Sequence, residues 1–113
     1  MDAQHLYRIV LIDDSRMARL GLREQLNRTA EFRIVGEAAS MAEGLELIER
    51  LNPDLVLLDI SLPDGSGVQA CCRLVAGRPD TRVLILSVYD DPAVIREAIA
   101  AGAQGYVLKD TPV

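Results

Sequence analysis

Five short runs rich in Val, Ile and Leu recur along the chain, each separated from the next by a stretch with helical signals. The runs are RIVLI (Arg8–Ile12), FRIVGE (Phe32–Glu37), LVLL (Leu55–Leu58), RVLIL (Arg82–Leu86) and GYVL (Gly105–Leu108). Three of them are almost wholly apolar instead of alternating, the pattern of strands covered on both faces. Strands alternating with helices imply an α/β fold in three layers, a parallel five-stranded sheet with helices on both faces and right-handed crossovers.

The intervening stretches carry start and stop signals. Ser15 can cap a first helix in which Leu22 and Leu26 share a face, and SMAE at Ser40–Glu43 has the spacing of a capping box. Ser66 can cap a third helix whose Val68, Cys71, Cys72 and Val75 fall on one face, with Gly77 suited to its end. Asp91 and Pro92 open a fourth, with Ile95, Ala98 and Ile99 as its apolar face and Gly102 as its stop. The final residues, KDTPV, offer Thr111 as a cap and Pro112 as a first helical position, so a fifth helix is expected to begin there. The expectation is a single domain, 1–113, cut before that helix.

Composition removes several function classes. The chain has 113 residues, half of them apolar, which is enough for one domain with a core of its own. No apolar run reaches the roughly 18 residues that a membrane span needs, and MDAQHLYR lacks the features of a secretion signal. No membrane partner is expected, and the cytoplasm is the expected compartment. A net charge of −5 argues against gripping phosphate backbones, so no nucleic acid is expected to bind this segment. Cys71 and Cys72 are adjacent, too close for an ordinary disulfide and without metal-ligand spacing, and read as core thiols on a helix. His5 lies in the polar N-terminal segment and reads as solvated.

The polar residues that follow the strands carry the chemistry. Asp13 and Asp14 follow the first run, Asp59 the third, Ser87 the fourth and Lys109 the fifth. In a parallel sheet every strand C-terminus lies on one edge, where doubly wound folds bind ligands. Three carboxylates, a hydroxyl and an ammonium therefore converge, although they span most of the chain. Carboxylates so crowded repel one another unless a cation lies among them, and a hard ion with oxygen ligands and retained waters, Mg²⁺, fits best. Beside a metal and Lys109, Asp59 can act as a nucleophile towards phosphorus, with the Ser87 hydroxyl as a hydrogen-bond donor to a phosphoryl oxygen. A structural ion-pair network is the bland alternative; it suits any one of these residues better than it suits five at separate strand ends.

These residues resemble the receiver domains of two-component response regulators. LIDDS matches their acidic-pair loop, LLDISLPDGSG the phosphoacceptor strand and loop, ILSV the hydroxyl switch, and AGAQGYVLKD the closing aromatic–lysine segment. LSVYDDPAVIREAIAAGAQGYVLKD looks most like the NarL/FixJ subgroup, whose receivers precede a LuxR-type DNA-binding domain. The resemblance implies the flavodoxin/CheY-like strand order 2-1-3-4-5, with the final helix missing here. It implies Asp59 as the phosphorylated residue, Asp14 as a direct Mg²⁺ ligand, Asp13 as a ligand mainly through water, and the Ser61 backbone carbonyl as the remaining protein ligand. Lys109 would contact the phosphoryl group, and Ser87 with Tyr106 would form the switch. A sensor histidine kinase would be the donor, a homodimer could follow phosphorylation, and DNA would be bound through the missing output domain. Such a domain catalyses only its own modification and is not an enzyme in the turnover sense.

The chain departs from the wider family in places. Asp110 follows Lys109 where many receivers have proline, though the NarL-like group often lacks it. Val88 is bulkier than the residue common after the switch hydroxyl, and Ser61 and Tyr89 occupy positions that tune phosphoryl lifetime. Two other readings stand beside the switch. One is a pseudo-receiver that keeps the fold as an interaction module. The other is a small haloacid-dehalogenase-like phosphatase, which needs a second carboxylate where Ser61 stands.

Overall fold

The structure, a computed structural model, describes residues 6–59, 61–62, 65–77, 80–87 and 92–108. His5, Val88, Tyr89, Asp91, Lys109, Asp110, Thr111 and Pro112 lie outside the described residues, as do the side chains of Ser61, Ser66 and Val68. The elements are β1 (Tyr7–Ile12), α1 (Arg16–Asn27), β2 (Phe32–Ala38), α2 (Met41–Leu51), β3 (Leu55–Asp59), β4 (Ser61–Leu62), β5 (Gly65–Ser66), α3 (Gly67–Gly77), β6 (Arg82–Ser87), α4 (Pro92–Ala100) and β7 (Gly105–Leu108). The five expected strands pair in parallel in the order β2-β1-β3-β6-β7, which is the expected 2-1-3-4-5. The short β4–β5 hairpin was not anticipated. It is antiparallel and lies between Asp59 and the start of α3.

The central strands are apolar throughout because both faces are covered. Val10 and Ile12 of β1 point into one cluster with Ile48 of α2, Cys71 and Leu74 of α3 and Ala98 of α4. Ile9 and Leu11 point into the other, against Leu22 and Leu26 of α1. All four β1 residues have no exposed surface. Side chains of this size contribute roughly 1.5–3 kcal/mol each when fully buried. That makes β1 and its neighbour β3 the rigid centre from which the site residues project.

The N-terminal caps of α1 and α2 form as expected. Ser15 Oγ accepts from the Ala18 N–H at 3.1 Å, and Ser40 Oγ accepts from the Glu43 N–H at 3.2 Å. The Glu43 carboxylate reaches back to the Ala39 N–H at 3.3 Å, one residue before the cap. Gly102 stops α4 at φ +105°, with the Gly102 N–H on the Ile99 carbonyl and the Ala103 N–H on the Ala98 carbonyl, a Schellman ending. At α2 the left-handed residue is Asn52, φ 50°, whose N–H donates to the Ile48 carbonyl at 2.8 Å.

Two helix-face expectations need correction. Cys71 is buried but Cys72 is exposed, because the step between neighbours on a helix is about 100° and Leu74 completes the buried face with Cys71. On α4 the core side is Val94 and Ala98, whereas Ile99 is 49% exposed. Gly77 is the last residue of α3, at the end expected for it, and ends the helix without a left-handed φ.

Candidate functional site

The ends of two neighbouring strands, β1 and β3, bring Asp13, Asp14 and Asp59 together. One oxygen from each carboxylate lies within 4.8 Å of the others. Asp59 is the last residue of β3, opposite Leu86 of β6, so the ladder itself fixes its backbone. Asp13 and Asp59 are buried, at 0% and 5% exposure, while Asp14 is open to solvent. The donor set is oxygen only, part buried and part wet. It fits a hard divalent cation that keeps some of its water and suits neither zinc nor copper.

The Asp13 loop is held at several points. The Asp13 N–H donates to the Ala38 carbonyl at 3.0 Å, extending the β1–β2 pairing one residue past the strand. Asp13 Oδ1 accepts from the Ser15 N–H at 2.9 Å, and Ser15 in turn caps α1. From the first turn of α1, an Arg19 guanidinium nitrogen donates to the Asp13 carbonyl at 2.6 Å. Arg19 Nε also pairs with Glu37 Oε1 of β2 at 3.3 Å, and Arg23 pairs with the other Glu37 oxygen. Sequence reasoning missed Arg19, Arg23 and Glu37. The available signal was faint: two arginines four apart on the helix that follows the acidic loop.

Ser87 ends β6, opposite Leu108 of β7, and is 1% exposed. It stands at the same sheet edge as Asp59, one strand away. Tyr106 of β7 is opposite Ile85 and packs, half-buried, against the cluster shared by α3 and α4. Ser61 begins β4, two residues beyond Asp59. Lys109 follows β7 directly in sequence but lies outside the described residues.

At the opposite edge of the sheet, a cavity of about 470 Å³ is lined by Tyr7, Asp54, Asp80, Arg82 and Gln104 at the N-terminal ends of the strands.

Comparison with known proteins agrees with this geometry. The family model described as the response regulator receiver domain matches residues 9–113. The DNA-binding transcriptional activator DevR/DosR of Mycobacterium tuberculosis is 41% identical over 105 residues, 93% of this chain and 48% of that protein. The nitrate/nitrite response regulator protein NarL of Escherichia coli K12 is 36% identical over 110 residues, 97% of this chain and 51% of its own length. The chain therefore spans about half the length of the curated relatives it matches. The solved signal receiver domain of NarL from Mycobacterium tuberculosis superposes with a TM-score of 0.90 at 36% identity, covering 96% of this chain and 87% of that one. With its sheet order, its strand-end carboxylates and these likenesses taken together, the chain belongs to the response regulator receiver domain family and groups with its NarL-type members.

Proposed function

We propose that this receiver accepts a phosphoryl group on Asp59 and so switches the output of a transcriptional regulator. The observation that carries the proposal is the placing of Asp59 in a three-carboxylate cluster, buried, at the end of a central strand. A carboxylate kept there for stability alone would be a poor choice, since the cluster concentrates like charge. Receiver domains are regulatory modules, not turnover enzymes; the only reaction assigned to this one is its own modification.

In that reaction an Asp59 carboxylate oxygen forms a bond to phosphorus as the bond from phosphorus to the donor breaks. From a sensor histidine kinase the departing atom is an imidazole nitrogen, which keeps the electron pair; from acetyl phosphate it is the acetate oxygen. Asp14 and Asp13 would hold Mg²⁺ together with Asp59 and the Ser61 carbonyl. When bound, the ion supplies positive charge that offsets both the carboxylates and the phosphoryl oxygens. Ser87 is assigned to hydrogen-bond a phosphoryl oxygen, Lys109 to neutralise another, and Tyr106 to repack against α4 as Ser87 moves.

DevR/DosR is by name a DNA-binding transcriptional activator. We assign this receiver to a regulator of that kind, cytoplasmic, with a LuxR-type output domain that binds DNA and with dimerisation following phosphorylation. No helix among the described residues is long and apolar enough to cross a membrane. The phosphatase alternative is disfavoured because residue 61 is serine, which cannot serve as the second acid/base. The switch reading is tested by titrating the protein with beryllofluoride and Mg²⁺ and following the bound fluoride by ¹⁹F NMR. Bound resonances in the wild type, lost in Asp59→Asn, are expected. A folded wild type that binds none would make the chain a pseudo-receiver.

A further inference from the structure

We propose that Arg19 and Glu37 form a positioning pair that sets the divalent-cation affinity of the acidic cluster from outside it. The inference rests on the metal-binding reading of that cluster. Its first support is the route by which Glu37 reaches α1. Along β2, Ile34 lies opposite Ile9 and faces the α1 side, so strict alternation would send Glu37 to the α2 side. The register shifts between Ile9 and Val10, and Val35 is the extra residue on β2. After this bulge Glu37 lies opposite Leu11, which faces α1, and Ala38 lies opposite Ile12, in the α2-side core. One inserted residue therefore aims a carboxylate at Arg19, a known use of bulges beside functional sites.

The second support is what Arg19 does once it is held. Both side chains of the pair are only 18% exposed, so the contact is sheltered from the screening that weakens surface pairs. With Nε anchored on Glu37, another guanidinium nitrogen is left on the Asp13 carbonyl at 2.6 Å. Two further bonds to Asp13 involve backbone groups, the Ala38 carbonyl and the Ser15 N–H. Arg19 thus ties the backbone of the Asp13–Asp14 loop to α1 and β2 through its side chain, and so helps set where that loop sits relative to Asp59.

Electrostatics alone and positioning predict opposite signs for removal of Arg19. Deleting a cation beside the cluster should tighten metal binding through space. Releasing the Asp13 carbonyl should weaken it, as loss of outer partners of metal ligands does, by roughly 10–100-fold. The test is isothermal titration calorimetry of the chain with Mg²⁺, together with Mn²⁺ titration followed by electron paramagnetic resonance. Arg19→Met is expected to weaken binding about 10-fold, and Arg19→Lys, which keeps a donor and folds with the charge intact, to recover part of that loss. Arg23→Met, which leaves the Asp13 contact in place, should stay close to wild type. Unchanged or tighter binding by Arg19→Met, or a loss in Arg19→Lys as large as in Arg19→Met, overturns the pair. A wild type that binds neither ion overturns the cluster reading itself, and the two failures are thereby separate.

Discussion

Replacing Asp59 by Asn should stabilise the metal-free protein, although it removes the residue at the centre of the proposed chemistry. The substitution keeps the shape and deletes one charge. In the wild type, oxygens of Asp13 and Asp14 each lie within 4.8 Å of an Asp59 oxygen. Two unit charges at that separation repel by about 0.9 kcal/mol in bulk water and about 3.5 kcal/mol at the effective dielectric near a protein surface. Asp14 is exposed and belongs near the lower figure; Asp13 is buried and belongs nearer the upper. Asparagine makes weaker hydrogen bonds than the carboxylate, so the net gain expected is about 2 kcal/mol. With an unfolding entropy of about 2.1 cal/mol/K per residue, a chain this long gains about 4 °C in Tm per kcal/mol, hence about 8 °C. Thermal melts by circular dichroism in EDTA measure it. Adding Mg²⁺ at about ten times its Kd should raise the wild type by about 1.4 kcal/mol and leave Asp59→Asn nearly unmoved. A mutant that melts at or below the wild type in EDTA, or that gains as much from Mg²⁺, would refute the claim that these charges crowd one site.

Two other outcomes follow from particular contacts. Gly102 has φ +105°, and a Cβ there would sit 2.9 Å from Val75 Cγ1 and 3.1 Å from Val75 Cβ. Gly102→Ala should therefore cost at least about 1–2 kcal/mol in urea unfolding, and an unchanged midpoint would contradict the Schellman ending. Burial, with a smaller contribution from neighbouring Cys72, pushes the Cys71 thiol up from its ordinary value. Its neutral form is favoured in the fold, so that stability is present below the ordinary thiol range and is lost as pH rises towards the folded value. Between roughly pH 8 and pH 10 the wild type should lose more stability than Cys71→Ala, and an equal loss would contradict the burial. Cys72, being exposed, should react with a thiol reagent in the native state, whereas Cys71 should react only on unfolding.

Much of the fold was legible because burial on both faces writes itself into sequence as uninterrupted apolar runs. Arg8–Ile12, Leu55–Leu58 and Arg82–Leu86 each proved one residue short at an end, and at two of these the missing residue was a candidate site residue, Asp59 or Ser87. A polar side chain at the end of a buried strand looks like loop in one dimension, while the ladder continues through it. Asp13, Asp14 and Asp59 were legible as a cluster because parallel topology puts strand C-termini on one edge. Arg19 and Glu37 were not, since their meeting depends on the extra residue Val35, and apolar Val in an apolar strand gives no sign of a bulge. Cys72 and Ile99 misled because an adjacent apolar residue on a helix need not share its neighbour's face.

The central claim, that Asp59 accepts a phosphoryl group with the help of a divalent cation, is tested most directly by intact mass spectrometry after incubation with acetyl phosphate and Mg²⁺. The account predicts one phosphoryl adduct on the wild type and none on Asp59→Asn or in EDTA. An adduct of equal yield on Asp59→Asn, or one formed equally well in EDTA, would contradict it.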